Sequence, residues 1–313
     1  MGGGTGTVTV LSGLRKISGL TLSAIVSSAD DGGSTGRLRD AYGILPPGDA
    51  RQALVALAEE GTILRALFNY RFTKGDIAGH NFGNLFITAL SSLRGSDTEA
   101  LKEAARILHI KGQVLPVSDT PSRLRARLSD GTVLAGEHSI DQRKRKRAPI
   151  KMLELETSTK LSSAARDAIC SADRIIFGPG DLYTSTIATL LPSGVSAAIK
   201  KSDATLVYIV NLFTKAGQTD AYGAKKHIEE VERYAGRPID TVIVNSAPLS
   251  KDACTRYARE GEYPVEDDTG NDSRVVRRPI ISLSLVEPVA EDPVPRSLLR
   301  HDSDALARVI ISL

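Results

Sequence analysis

Short apolar segments alternate along the chain with stretches of helical periodicity. The apolar segments are rich in β-branched residues, are bounded by Gly, Asn or Asp, and comprise residues 20–26, 174–177, 205–210 and 239–244. Almost continuous apolar character is typical of parallel strands that are covered on both faces. The pattern therefore predicts an α/β fold built on an open, mostly parallel sheet with helices on both faces.

The region between the first two of these strands has the periodicity of helices. It predicts helices over residues 49–59, 82–93 and 98–109. We expect Asp49 to be the N-cap of the first one, because it follows Pro46 and Pro47 and its carboxylate can accept a free backbone N–H.

Residues 113–156 change to a β pattern. Asp130-Gly131 is typical of a tight turn and predicts a hairpin between segments 123–128 and 132–135. We therefore expect residues 1–313 to form one α/β domain, in which residues 49–156 are an inserted helical and β-hairpin region at the edge of the sheet.

Composition and charge narrow the class of protein. Hydrophobic residues at 41% and charged residues at 25% are ordinary for a soluble globular protein. Aromatic residues at 4% and a net charge of +3 argue against binding to a nucleic-acid polymer, and the basic run 143–147 is more typical of a solvated loop. Two distant cysteines, Cys170 and Cys254, and the lack of a long apolar segment predict a cytoplasmic protein that contacts no membrane.

A glycine loop, residues 2–6, comes directly before a helix-compatible stretch. Free backbone amides at a helix N-terminus attract phosphate, and glycine lets the phosphate approach closely. A plain tight turn is the alternative for this loop alone. The candidate phosphate ligands are Gly3, Gly4, Thr5 and Gly6.

Phosphate loops of α/β proteins normally follow a strand, and no strand pattern precedes Gly2. We expect a further apolar strand to be encoded upstream. The alternative is a fold that tolerates the loss of a central strand.

A second polar loop follows the strand 20–26 and contains the paired carboxylates Asp30 and Asp31. Such a pair can hold Mg²⁺, accept ribose hydroxyls or orient a substrate alcohol, and an Asx turn that caps a helix is the alternative. Magnesium at Asp30 and Asp31 is the one candidate cofactor. The other candidate ligands of this loop are Gly32, Gly33, Arg37 and Arg39.

Further glycine-bearing loops open helices later in the chain. His80 can donate to phosphate or act as an acid or base, since histidine titrates near neutrality, but a structural role is equally open. Residues 178–185 repeat the order of strand, glycine loop and helix that forms anion sites. The candidate ligands of these loops are Asp49, His80, Asn81, Asn84, Gly178, Pro179, Gly180, Tyr183, Thr184, Ser185 and Asn211.

Three of these loops follow predicted strands. The carboxyl ends of parallel strands meet at one edge of a sheet, where open α/β folds form a ligand crevice. The sequence therefore predicts one site for a phosphate-bearing, nucleotide-like ligand.

Six motifs, in order, resemble the YvcK-like gluconeogenesis factors and, more distantly, the 2-phospho-L-lactate transferases of deazaflavin coenzyme synthesis. The motifs are residues 2–6, 30–39, 47–51, 79–84, 178–185 and 211–217, with a further match at residues 300–302. The residues after Asp31, and the pair Leu182-Tyr183, look like the gluconeogenesis-factor branch.

The resemblance implies a Rossmann-like fold and a nucleotide-sugar ligand such as UDP-N-acetylglucosamine. It implies a regulatory role without turnover, linking carbon metabolism to cell-wall synthesis and cell shape. It also implies that Tyr257 and Arg300 contact the ligand; a tyrosine can stack on a base and an arginine can pair with a diphosphate, and surface packing is the alternative for both.

The transferase branch implies a rival function: an enzyme that moves a phospho-lactyl group from a nucleotide diphosphate to a deazaflavin with the help of Mg²⁺. The sequence leaves turnover and oligomeric state open, a homodimer included. Besides the absent strand, it departs from the family pattern at Asp181, where Ser is usual, at Gln218, where Glu is usual, and over residues 271–295, which are longer than expected. Asp181 adds negative charge to an anion loop, which makes ligand identity less secure than fold.

Overall fold

The structure is a computed structural model that describes residues 1–141, 148–282 and 298–313. The basic run 143–147 and most of the irregular region 271–295 lie outside these residues. The strands are β1 (Ser23–Val26), β2 (Gln113–Pro116), β3 (Leu124–Leu128), β4 (Val133–Ala135), β5 (Ile150–Leu155), β6 (Arg174–Phe177), β7 (Thr205–Ile209), β8 (Thr241–Asn245) and β9 (Val275–Arg278).

Helices connect these strands and cover them. They are α1 (Gly4–Leu14), α2 (Gly33–Tyr42), α3 (Pro47–Leu57), α4 (Ile63–Asn69), α5 (Phe82–Arg94), α6 (Asp97–Ile107), α7 (Glu137–Asp141), α8 (Ser163–Cys170), α9 (Val195–Lys201), α10 (Ala224–Ala235), α11 (Lys251–Glu260) and α12 (Ser303–Ser312). A π-helix, Leu182–Thr186, and a 3₁₀ helix, Ile187–Leu190, follow β6. No helix in the described ranges combines the length and the apolar character that a membrane crossing requires.

Parallel strands form the centre of the fold. β6, β7, β8 and β9 pair in that order, each parallel to the next, and β1 pairs in parallel with β2. Along β7, Leu206 and Tyr208 pack into one core cluster, and Val207 and Ile209 pack into another. Because successive side chains point to opposite faces of a strand, the sheet is buried on both sides. The predicted α/β fold, with helices on both faces of a mostly parallel sheet, is confirmed.

Residues 1 and 2 lie between the two sets of parallel strands. The Met1 amino group donates to the Ile176 carbonyl oxygen at 2.6 Å, and the Gly2 N–H donates to the Ile25 carbonyl oxygen at 3.1 Å. Burial lowers the pKa of the Met1 ammonium to about 5. The start of the chain thus touches β6 on one side and β1 on the other, and the expected upstream strand stays a prediction.

The region 49–156 contributes to two different parts of the fold. Strands β3, β4 and β5 form an antiparallel sheet, and the predicted hairpin at Asp130-Gly131 is confirmed by the pairing of β3 with β4. Strand β2, by contrast, extends the parallel sheet beside β1. The sequence pattern missed β2 as a member of the parallel sheet and missed β9.

The predicted helices of this region are confirmed as α3, α5 and α6 with small shifts in their ends. The expectation that Asp49 caps α3 is wrong, because Pro46 is the N-cap and Pro47 begins the helix. Proline has no N–H to leave unsatisfied at the first helical position, so it starts the helix two residues earlier. Asp49 lies in the first turn, where its carboxylate is free to bond elsewhere.

Candidate functional site

The first glycine loop packs backbone against backbone on the loop after β6. A Cβ added at Gly6 would lie 1.8 Å from the Pro179 carbonyl oxygen, so no larger residue fits there. Gly4 has a φ of +64°, which favours glycine, and its added Cβ would meet only the Ser185 hydroxyl, at 3.8 Å. The structure therefore brings together the residues Gly3–Gly6 and Gly178–Ser185, as the sequence predicted.

The loop after β6 is held by the residue that follows β7. Asn211 Nδ2 donates to the Gly180 carbonyl oxygen at 2.8 Å, and the Gly180 N–H donates to Asn211 Oδ1 at 3.3 Å. The peptide bond before Pro179 is cis. Tyr183, by contrast, is fully buried, and its hydroxyl lies 3.1 Å from that of Tyr222. Asn211 and Gly180 thus shape the crevice, whereas Tyr183 packs beneath it.

The two carboxylates of the loop after β1 are held by backbone amides, one within the loop and one from α7. Asp30 accepts the Gly32 N–H at 2.8 Å, as in an Asx turn. Asp31 accepts the His138 N–H at 2.9 Å from α7. Burial raises the pKa of Asp30, and the nearby charge of Asp31 acts in the same direction. Each carboxylate is therefore held by a backbone amide, and the Asp30 carboxyl also bonds the side chains of Thr35 and Glu137.

Asp49 approaches the glycine loop from α3. Its Oδ1 accepts the Gly4 N–H at 2.8 Å, and a Cβ added at Gly3 would lie 2.1 Å from Asp49 Oδ2. Burial, followed by the charge of Asp30, raises the pKa of Asp49 to about 7. Asp49 thus lies in direct contact with the amide end of α1.

Sequence reasoning missed a second acidic group, which α7 supplies. Burial raises the pKa of Glu137 well above its usual value, and Asp30 is the carboxylate that adds most to this effect. Asp141 accepts from Thr184 Oγ1 at 3.1 Å and from Gln218 Nε2 at 2.6 Å. Glu137 and Asp141 are four positions apart on one helix face, which is the signal that could have identified them.

One lysine compensates part of this acidity. Lys215, in the loop after β7, lies 3.3 Å from Glu262, and the charge of Asp181 is the largest factor that raises its pKa. Burial and the charge of Asp181 raise the pKa of Asp141 to about 7, while Lys215 acts to lower it. The charge of Asp181 is thus partly offset by the nearby ammonium of Lys215.

A magnesium site built from protein side chains alone requires several carboxylates close together. Within residues 1–141, 148–282 and 298–313, no group of three or more His, Cys, Asp or Glu side chains is arranged to hold a metal ion. Magnesium bound with a nucleotide, however, takes most of its ligands from phosphate and water and needs only one or two carboxylates. Asp30 and Asp31 fit that smaller requirement.

Other predicted site residues support the Asp30 loop. His80 Nδ1 lies 3.0 Å from the Ser34 hydroxyl, and burial with Arg37 and Arg71 nearby lowers the pKa of His80, which favours a neutral ring. Asn84 Nδ2 lies 3.4 Å from the same hydroxyl. The remaining members are Asn81, which caps α5, and Arg39, which is buried and donates to the Asp30 carbonyl oxygen.

Tyr257 and the segment 300–302 lie beside the loop after β7. The Tyr257 ring stacks on Phe213, with ring centroids 3.9 Å apart, and its hydroxyl accepts the Leu299 N–H at 3.2 Å. Arg300 is half-buried next to His301, whose pKa burial lowers to about 4. One face of Tyr257 is therefore already covered by an aromatic ring of the protein.

A groove lies elsewhere among the described residues. It has a volume of about 670 Å³ and is lined by the end of α2, by α5 and by the start of α6. None of the three glycine loops contributes to its lining. This groove is therefore separate from the glycine loops.

Comparisons with known proteins identify the family of this chain. The profile of the family described as 2-phospho-L-lactate transferase matches residues 1–285. A provisionally named gluconeogenesis factor of Thermotoga maritima is 41% identical over 310 residues, which cover 99% of this chain and 96% of that protein. The gluconeogenesis factor of Bacillus subtilis is 35% identical over 318 residues, which cover 100% of this chain and 96% of that protein.

A solved structure resembles the whole fold. The crystal structure of a UPF0052 family protein from Bacillus halodurans has a TM-score of 0.90 and 35% identity to this chain, covering 99% of this chain and 96% of that one. The chain therefore belongs to the gluconeogenesis factor family, within the larger family of 2-phospho-L-lactate transferases.

Proposed function

We propose that this protein is a cytosolic regulator that binds a nucleotide sugar of the UDP-N-acetylglucosamine type and links carbon metabolism to cell-wall synthesis and cell shape. The relatives are named gluconeogenesis factors, which supports a role in carbon metabolism. The nucleotide-sugar ligand and the regulatory role are supported by the chemistry of the crevice and by the family resemblance.

One observation carries the proposal: two glycine loops meet backbone to backbone at Gly6 and Pro179. Their contact lies beside the N-terminus of α1, where backbone amides and the helix dipole favour a phosphate. The carboxyl end of β7 completes the same edge through Asn211 and Gly180. A diphosphate with a nucleoside on one side and a sugar on the other matches a crevice of this kind.

The acidity of the crevice also bears on the ligand. Carboxylates repel a bare phosphate, whereas sugar and ribose hydroxyls donate hydrogen bonds to them. We propose that Asp30, Asp31 and Asp141, each of which already accepts one or more hydrogen bonds within the protein, are the acceptors of such bonds. A ligand rich in hydroxyls as well as phosphate is therefore favoured over an inorganic anion.

A transferase is the second candidate function, because the matching family profile is described by that activity and Asp30 and Asp31 follow β1. Magnesium, when bound there with the nucleotide, would supply positive charge for the departing phosphate. In that case the crevice holds a nucleotide diphosphate whose phospho-lactyl group passes to a deazaflavin hydroxyl, with release of a nucleoside monophosphate.

Calorimetric titration of the purified protein separates the two functions. We expect UDP-N-acetylglucosamine to bind with and without EDTA, and no nucleoside monophosphate to accumulate when Mg²⁺ and a deazaflavin are added to a nucleotide diphosphate substrate. Release of the monophosphate that depends strictly on Mg²⁺ would establish the transferase instead.

A further inference from the structure

The anion position of the glycine loop is occupied by a carboxylate of the protein itself. Gly3, the N-cap of α1, has no side chain that could bond the free amides of the helix. Asp49 does so from α3, 45 positions away in sequence, by accepting the Gly4 N–H at 2.8 Å. Its second oxygen lies against Gly3, where any Cβ would collide with it.

This contact places two anions in competition for one donor. A phosphate at the N-terminus of α1 needs the same amide that Asp49 uses, and a backbone N–H cannot donate fully to both. Two negative groups at hydrogen-bond distance from one N–H also repel each other. A phosphate therefore binds to the Gly4 amide only when Asp49 withdraws.

The surroundings of Asp49 make its withdrawal possible. Two further carboxylates act on it, Asp30 from the loop after β1 and Glu137 from α7, and both disfavour negative charge at this position. Arg51, two residues further along α3, is the cation whose charge favours the ionised form of Asp49. The hydrogen bond from the Gly4 N–H thus holds the Asp49 carboxylate at the glycine loop, although Asp30 and Glu137 repel it.

We propose that Asp49 is an internal competitor for phosphate that sets the charge selectivity of the glycine loop. This inference rests on the proposed function, since it concerns the same phosphate site. A diphosphate brings more charge and more acceptor oxygens than a carboxylate and displaces Asp49. A singly charged anion gains too little to do so, and Asp49 therefore excludes it.

Inorganic pyrophosphate is the probe, because it tests the anion position without a nucleoside or sugar. We expect Asp49→Asn to bind pyrophosphate at least about tenfold more tightly than the wild type, because the amide oxygen is a weaker competitor and the new N–H₂ group donates to phosphate. Asp49→Ala removes the competitor altogether and is expected to act in the same direction.

The matched control is Asp240→Asn. Asp240 also accepts a backbone N–H, that of Leu206 at 2.8 Å, but at the opposite end of β7, and the substitution is the same exchange of carboxylate for amide. We expect its affinity for pyrophosphate to equal that of the wild type. Unchanged or weaker binding in both Asp49 variants would overturn the proposal and reduce Asp49 to a structural cap of α1.

A crystal structure of the wild type with pyrophosphate tests the same point without a variant. We expect the Gly4 N–H to donate to a phosphate oxygen and Asp49 Oδ1 to lie beyond hydrogen-bond distance from it. Pyrophosphate bound elsewhere, with the contact between Asp49 and Gly4 intact, would refute the inference. A parallel titration with UDP-N-acetylglucosamine distinguishes the two proposals. If the protein binds pyrophosphate but not UDP-N-acetylglucosamine, the proposed ligand is wrong, whereas the proposed role of Asp49 is unaffected.

Discussion

Asn211 bonds both polar groups of Gly180, donating to its carbonyl oxygen at 2.8 Å and accepting its N–H at 3.3 Å. The two residues are 31 positions apart, on the loops that follow β6 and β7. A Cβ added at Gly180 would lie 3.6 Å from the Gly3 carbonyl oxygen, so the backbones of these two glycines lie close together. A single side chain therefore ties the loop after β6 to the loop after β7.

We expect Asn211→Ala to weaken binding of UDP-N-acetylglucosamine at least tenfold and to lower the free energy of unfolding by about 1–3 kcal/mol, because it leaves the Gly180 groups without their partner. Asn245→Ala is the matched control, since Asn245 makes the same kind of bonds to Ala247 at the end of β8. Calorimetry and urea denaturation measure both effects. Equal loss of affinity in both variants would show that the effect is one of stability alone.

Gly4→Asp is expected to abolish binding of the nucleotide sugar while the protein stays folded. The position has open space, with only the Ser185 hydroxyl at 3.8 Å, so the new carboxylate occupies the place of the phosphate. Gly19→Asp is the control, because Gly19 also has positive φ and nothing lies within 4 Å of its added Cβ. Affinity like that of the wild type in Gly4→Asp would remove this loop from the site.

The double variant Asp30→Asn, Asp31→Asn distinguishes a regulator from an enzyme. Asparagine oxygens can still accept the N–H groups of Gly32 and His138, so we expect ligand affinity to fall by about 1–3 kcal/mol at most. We also expect EDTA to leave wild-type affinity unchanged. A strict requirement for Mg²⁺, lost in the double variant, contradicts this and favours the transferase.

The raised pKa of Asp141 makes the stability of the folded protein depend on pH. Its pKa is about 7 in the folded protein and about 4 in an unfolded chain, so the folded state holds a proton that the unfolded state has lost between these values. Stability from this group is therefore present below about pH 4 and is lost as pH rises to about 7.

We expect Asp141→Asn to be more stable than the wild type at pH 8 by at least about 1 kcal/mol and nearly equal to it at pH 4, since each pKa unit corresponds to about 1.4 kcal/mol. The amide oxygen can still accept from Thr184 and Gln218. Urea denaturation between pH 4 and pH 8 measures the difference, with Asp240→Asn as control. A difference that does not change with pH would place the proton elsewhere.

Local patterns determined much of this protein. The apolar segments at 174–177 and 205–210 are β6 and β7 almost residue for residue, because a strand buried on both faces needs continuous apolar character. The Asp130-Gly131 turn and the glycine loops were identified for a similar reason, since their backbone conformations favour glycine whatever surrounds them. The contact between the loops after β6 and β7 could be predicted because parallel strands end at one edge.

Tertiary structure decided which side chains reach that edge. Strand β2 is only four residues long, and it pairs with β1, which lies 90 positions earlier. This pairing depends on how the helices between the two strands in the chain pack. Glu137 and Asp141 come to the glycine loops on a short helix that the antiparallel sheet positions. Asp49 was expected to cap its own helix and instead bonds Gly4. The spacing of apolar residues and glycines in the sequence determines helices, strands and turns. Contacts between carboxylates and amides that are distant in sequence form only when whole helices and strands pack together.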